Sequence, residues 1–460
     1  MVKKKNSKKL KELNHKARKN SIKEGIFSSA KSAFGDNYIA PFAIAINTSS
    51  SMVALLGSIS GLLGPISQTL NSRLIEKKSR KKIILRTIFL ETLMWIPFIL
   101  IAILFYKGIL TNLLPIFLLL TFSIYIIIAN RAHPAWFSWM GDIVKEENRG
   151  TWFSKRNLIL GFVSLVLAIT ASFFLDYFKK NNLIMFGFII LFSLAIILEI
   201  FRYRSFKKQY EPKIKLKKGY YFSYKDFIKN SLNNNFGRFT IYRGFVSFSA
   251  WIYSSLIAVY LLRYLEFSYS TYMLIIMSGV ASSLIILELW GKIADKYGNY
   301  QVLAITSMII PFIPILWILN NSPLYLILVP QLISGSVYAG FHLASGNFIY
   351  DNVNSQKRGL AVSYFNLTVG IGVFFGAGIG AFLIKFLTIS IIEPIIFIFI
   401  LSSITSIIVV SLGLTKLKEI RKMKKLRNIK SLEHMIIKEA KPTILEEFHE
   451  ITHIKKYFKG

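Results

Sequence analysis

The sequence predicts an all-α membrane protein whose twelve transmembrane helices form two repeated halves of six. Three observations lead there. The 460-residue chain is 53% hydrophobic and only 17% charged, with a mean hydropathy of +0.49, whereas soluble domains carry about 25% charged residues. Its apolar residues gather into twelve runs, each long enough to cross a hydrocarbon core ~30 Å thick as a helix. Finally, one stretch of the chain repeats another in constant register, the mark of an internal duplication.

The elements follow in order. A basic head, 1–24, holds ten Lys and Arg residues and lacks the short apolar core of a cleaved signal peptide, so it is expected to stay cytoplasmic. The first half, 25–202, contains runs at 25–47, 50–71, 83–106, 111–140, 151–177 and 182–202. The second of these carries Gly57, Gly61 and the Gly64-Pro65 pair. A polar linker, 203–229, leads to a second half, 230–413, with runs at 230–262, 268–291, 300–319, 323–349, 359–385 and 389–413. The eleventh run is dense in glycine, at Gly370, Gly372, Gly376, Gly378 and Gly380. Small residues let membrane helices approach closely, so both glycine-bearing runs read as close-packing surfaces. A basic tail, 415–460, has amphipathic stretches near 417–429 and 444–458, suited to a membrane surface or a partner.

Charge orients these elements. Lys and Arg number 57 against 23 Asp and Glu, a net +34, and they cluster in the head, the 73–82 loop, the linker and the tail. The opposite loops hold few bases: Lys107, Lys179, Lys180, Arg263 and Lys385. The positive-inside rule then places both termini in the cytoplasm of a multi-pass plasma-membrane protein. The basic ends read as solvated topology determinants next to membrane lipids, with anionic-lipid docking as the other reading; no nucleic-acid partner is expected. The chain has no cysteine, which excludes disulfides and thiolate metal sites. There is no G-x-x-x-x-G-K-[ST] loop for ATP, and no nucleophilic triad or soluble carboxylate pair. Enzyme chemistry, a cofactor and a bound metal are therefore not expected.

The repeat is explicit. Asp142, Arg149, Gly150, Ser154, Asn157, Leu158 and Gly161 recur 209 residues later as Asp351, Arg358, Gly359, Ser363, Asn366, Leu367 and Gly370. The same offset joins His133 and Ala135 to His342 and Ala344, and Phe34-Gly35-Asp36 has an apparent counterpart, 202 residues on, in Phe236-Gly237-Arg238. Between the eighth and ninth runs the chain reads Gly291-Lys-Ile-Ala-Asp295-Lys296-Tyr-Gly298. The first-half copy, Ser72-Arg-Leu-Ile-Glu76-Lys77-Lys-Ser79, keeps the acid, the base and the spacing but has serine at both glycine positions.

This loop resembles the G-x-x-x-D-[RK]-x-G signature of the major facilitator superfamily, and the resemblance extends over 25–413. It implies two six-helix bundles that rock about a midplane cavity, with helices 1, 4, 7 and 10 lining it. It also implies a cytoplasmic gate of Glu76, Arg149, Gly291, Asp295, Lys296, Gly298 and Arg358, with Asp295 near Arg149 and Glu76 near Arg358. Each contact would contribute about 1–2 kcal/mol, or the loops would simply be capped.

Ionisable residues deep in a membrane are functional candidates by default. On the four cavity helices these are Asp36, Arg131, His133, Arg238, Arg243 and His342, with Asn347 beside them. Asp36 is the only acid there away from the helix ends, so it is expected to pair with Arg131 or Arg238 and to couple to protons, or to form a fixed structural ion pair. Lys31 is expected to snorkel to the cytoplasmic face, and Glu91, Glu199, Glu288 and Glu393 to be satisfied at span ends. The reading is a secondary active transporter of a small polar or charged solute, working by alternating access as a monomer, with proton coupling an option. The alternatives are a non-transporting receptor or scaffold of the same fold and a lipid or drug exporter.

Overall fold

The structure, a computed structural model, describes residues 2–72, 78–144, 149–212, 223–353, 358–388 and 393–419, with 2–11, 72, 149–151 and 358 as backbone only. Every regular element among these residues is helical, and eleven helices are long and apolar enough to cross a membrane. The chain divides into two compact units, one of 1–52, 62–219 and 268–270, the other of 53–61, 220–267 and 271–460.

In the first unit, α1 (Val2–Phe34) ends where the first predicted span should continue. A 3-10 turn, Asp36–Tyr38, and a short α2 (Ile39–Ala45) follow. The unbroken span expected at 25–47 is thus corrected to a broken helix, because a Cβ on Gly35 would enter the Trp95 ring and the chain turns there. The helices α3 (Ser50–Ser72, of which 53–61 are assigned to the second unit), α4 (Arg80–Tyr106), α5 (Leu114–Asn130), α6 (His133–Ile143), α7 (Arg149–Lys180) and α8 (Ile184–Lys207) come next. The head is not merely a solvated topology signal. Ala17 is buried with Ile84, Ala135, Trp139 and Phe206, and Arg156 donates to the Ser21 carbonyl at 3.3 Å, so the last turns of the head are core.

In the second unit lie α9 (Tyr224–Lys229), α10 (Asn235–Ser254), α11 (Tyr269–Tyr297), α12 (Asn299–Ile309), α13 (Ile313–Ile318), α14 (Leu332–Asn352), α15 (Arg358–Phe386) and α16 (Pro394–Gly413). The eleventh-run glycines have a definite partner. A Cβ on Gly372, Gly376 or Gly380 would press on the carbonyl oxygens of Gly244, Phe248 and Ile252 of α10, so this stripe brings two backbones together. The Phe-Gly pairing at offset 202 has no structural counterpart. Gly35 breaks a helix inside a span, whereas Gly237 sits in the first turn of α10 and receives the Asn234 side-chain cap at 2.7 Å.

The duplication does extend to how helices begin. The buried Arg80 at the start of α4 donates to Asp142 at 2.6 Å, and Asn299, at the matching place in α12, donates to Asp351 at 2.7 Å. Glu211 accepts from the Lys81 N–H at 3.4 Å and from Ser79 Oγ at 2.6 Å. Glu419 accepts from the Tyr300 N–H at 2.8 Å. A carboxylate at a helix N-terminus meets free N–H groups and the positive dipole end, and each half uses one from the segment after its last helix.

Candidate functional site

The apolar helices of the first unit enclose a cluster of ions. Lys31, in the last turn of α1, lies 2.8 Å from Glu91 of α4, 3.0 Å from Asp36 and 3.8 Å from Glu199 of α8. It also donates to the Tyr125 hydroxyl of α5 at 3.1 Å. Asp36 accepts from Ser32 Oγ at 2.6 Å and from Tyr125. Arg202 of α8 donates to Glu91 at 3.2 Å and to both Glu199 oxygens at 3.0 and 3.3 Å. Its Nε lies 3.8 Å from Glu24, which in turn takes hydrogen bonds from Arg156 at 3.0 Å and Trp136 at 3.1 Å. Pairing is what makes such burial tolerable, since an isolated ion in a low-dielectric interior costs several kcal/mol.

The helix break positions this cluster. Five residues of straight helix would turn Asp36 about 140° away from Lys31, and the bend at Gly35 folds the carboxylate back onto the ammonium. The cluster opens on a cavity of about 400 Å³ lined by Lys31, Asp36, Glu91, Tyr125, Asn130 and Arg202, among others. Among the described residues four acids meet three bases here: Glu24, Asp36, Glu91 and Glu199 against Lys31, Arg156 and Arg202. With all seven ionised the cluster is one negative charge in surplus.

Several expectations are corrected by this arrangement. Asp36 pairs with Lys31 rather than with Arg131 or Arg238. Arg131 instead donates to Asn71 at 3.3 Å, and Arg238 is exposed at the start of α10, donating to the Leu232 carbonyl at 2.7 Å. Lys31 does not snorkel; its side chain is 5% exposed. Glu91 and Glu199 are not satisfied at span ends but are buried at 4% and 0%. His133 is exposed, and Asn347 donates to Asn299 at 3.1 Å, joining the helix-start network. Sequence reasoning missed Lys31, Glu91, Tyr125, Arg156, Glu199 and Arg202 as site residues. The available signal was the Glu199–Arg202 spacing of three within an apolar run, which puts acid and base on one helix face.

In the second unit, Arg243 and His342 are brought together, with Arg243 Nη2 3.2 Å from His342 Nδ1. Of the expected gate, Glu76 lies outside the described residues, as do the side chains of Arg149 and Arg358. Asp295 and Lys296 are exposed, Lys296 lies 5.3 Å from the centre of the Tyr297 ring, and Gly291 has open space around it. Gly298 adopts φ +97°, ψ 159° between α11 and α12, a conformation essentially reserved for glycine.

Residues 239–445 match the Major Facilitator Superfamily family model. This matched part of the chain, within its second half and tail, is that of a major facilitator protein. Among solved structures it is similar to a point mutant of the nucleoside transporter NupG, at 13% identity and TM-score 0.67, covering 88% of this chain and 100% of that one. It is also similar to a bacterial metal transporter, at 12% identity and TM-score 0.60, covering 87% and 98%. At such identities these likenesses show the fold. No curated protein sequence matches the chain. The family match and the likeness of fold together make it a multi-pass membrane transporter with a small-molecule cargo, not an enzyme.

Proposed function

We propose that this major facilitator protein is a proton-coupled secondary transporter of a small polar or charged solute. It works by alternating access in the plasma membrane, as a monomer with both termini in the cytoplasm. The observation that carries the proton is the surplus acid of the buried cluster. Four carboxylates against three bases leave one negative charge, which a buried site neutralises by taking a proton. Asp36 is the acid a proton reaches first, because its side chain is 31% exposed where Glu91, Glu199 and Glu24 are 4%, 0% and 2% exposed, and it lines the cavity.

A thermal-shift screen at two pH values would find the solute, since a ligand of the folded state raises its melting temperature. Nucleosides belong in the panel because a structural neighbour is a nucleoside transporter. In proteoliposomes, Asp36→Asn is expected to abolish pH-gradient-driven accumulation while leaving solute counterflow intact. Loss of both activities in a folded variant would make the cluster a structural ion pair. Accumulation indifferent to the pH gradient in the unaltered protein would remove proton coupling altogether.

A further inference from the structure

The two units treat buried charge in opposite ways. In the first, each base of the buried cluster has carboxylate partners. In the second, Arg243 is 7% exposed and has no acidic partner among the described residues. A guanidinium cannot shed its proton and carries five N–H donors. Two of these have partners: Nη1 donates to Ser247 Oγ at 2.7 Å and Nη2 meets His342 Nδ1 at 3.2 Å. The Nε is buried with no hydrogen-bond partner, and the guanidinium carbon lies 4.5 Å from the centre of the Phe341 ring. A ring face attracts a cation but does not cancel its charge. An unpaired buried charge is among the most costly arrangements in a protein, so this site favours an anion.

The contact with His342 also sets that ring's role. Arginine only donates, so Nδ1 accepts and the ring proton resides on Nε2. His342 is exposed while Arg243 is buried, and the Tyr338 ring stacks on the imidazole with ring centres 6.0 Å apart. Beside the hydroxyls of Ser247 and Tyr338, which donate or accept, the charged group of the site is thus the guanidinium, and the His342 Nε2–H adds a further donor.

We infer that Arg243 and His342 form an oxyanion-binding subsite, and that the transported solute carries a carboxylate or phosphate group. This rests on the reading of the chain as a solute carrier and names the class of its solute. A neutral His342 adds a donor without adding charge, so the preference is for one negative charge, balanced by Arg243. If the acid cluster of the first unit carries one proton per cycle, a monoanion and a proton cross together with no net charge.

The test uses the full-length protein in detergent and in proteoliposomes. Melting temperature is measured with lactate, succinate, glutamate, inorganic phosphate and glycerol 3-phosphate, and with methyl lactate, glycerol and choline as neutral and cationic controls. At least one oxyanion is expected to raise the melting temperature of the unaltered protein while its neutral counterpart does not. Whether the active probes are carboxylates or phosphates separates the two chemistries. Arg243→Met should melt no lower than the unaltered protein, since it removes an uncompensated charge, and should lose the anion-induced shift. Arg243→Lys and His342→Gln should weaken binding about tenfold to a hundredfold, as expected when charge-assisted hydrogen bonds are lost. If Arg243→Met does not fold, these two variants decide the question.

The inference is overturned if no oxyanion gives a shift that the Arg243 variants lose, or if a neutral or cationic solute is bound equally by the unaltered protein and by them. Proton coupling fails or stands separately. A pH-gradient-driven solute insensitive to Arg243→Lys would sink the anion subsite alone, and an Arg243-dependent anion transported without a pH gradient effect would sink the coupling alone.

Discussion

Lys31 is the residue on which the first unit's polar cluster turns. It touches Asp36, Glu91 and Glu199 at once, so its loss leaves the buried Glu91 and Glu199 with Arg202 as their cation, and the part-exposed Asp36 with none, among the described residues. Lys31→Met is expected to destabilise the protein by about 3–5 kcal/mol, the usual cost of removing one partner from a buried ion pair. The double variant Lys31→Met with Glu91→Gln should recover much of that loss. Melting curves check this, and a Lys31→Met protein as stable as the original would show that the cluster contributes nothing to holding the unit together. At this scale the sequence was partly legible. Asp36 stood out as a charge inside an apolar run, but its partner did not, because Lys31 five residues earlier lies on another face of a straight helix. Glu91 and Glu199 are 60 and 168 residues from Lys31, distances over which spacing says nothing about contact.

At the scale of elements, glycine marks where helices break or touch, and its neighbours decide which. Gly35 ends α1 against Trp95, while Gly372, Gly376 and Gly380 join α15 to α10. A methyl group at Gly376 meets the Phe248 backbone, which cannot rotate away as a side chain can. Gly376→Ala should therefore cost about 1–3 kcal/mol, the range for overpacking a close contact. Gly291→Ala, in open space, should leave the melting temperature unchanged. Equal effects at the two positions would mean that the stripe is not the contact it looks like. The sequence showed both as glycine-rich or motif positions, and composition alone does not say what stands opposite a glycine.

For the whole molecule, orientation is the open property that the chain itself makes easy to measure, because it contains no cysteine. A single cysteine at Asn181, exposed between α7 and α8, should react with an impermeant thiol reagent applied to intact cells. One at Lys208, exposed at the far end of α8, should react only after permeabilisation. The reverse pattern would place both termini outside and contradict the charge rule.

By itself the sequence revealed the order of apolar segments, the clustering of bases in particular loops, the repeat at an offset of 209 residues and the resemblance to the family. These are properties of local composition and of repetition, which need no knowledge of what packs against what. Only the tertiary structure decided that the first span is broken at Gly35, that the end of the head is core, and that four acids and three bases share one cluster. It also left Arg243 with His342 and no acid among the described residues. The physical reason is that burial makes each charge depend on a partner brought close by folding, and such partners come from helices far apart in the chain.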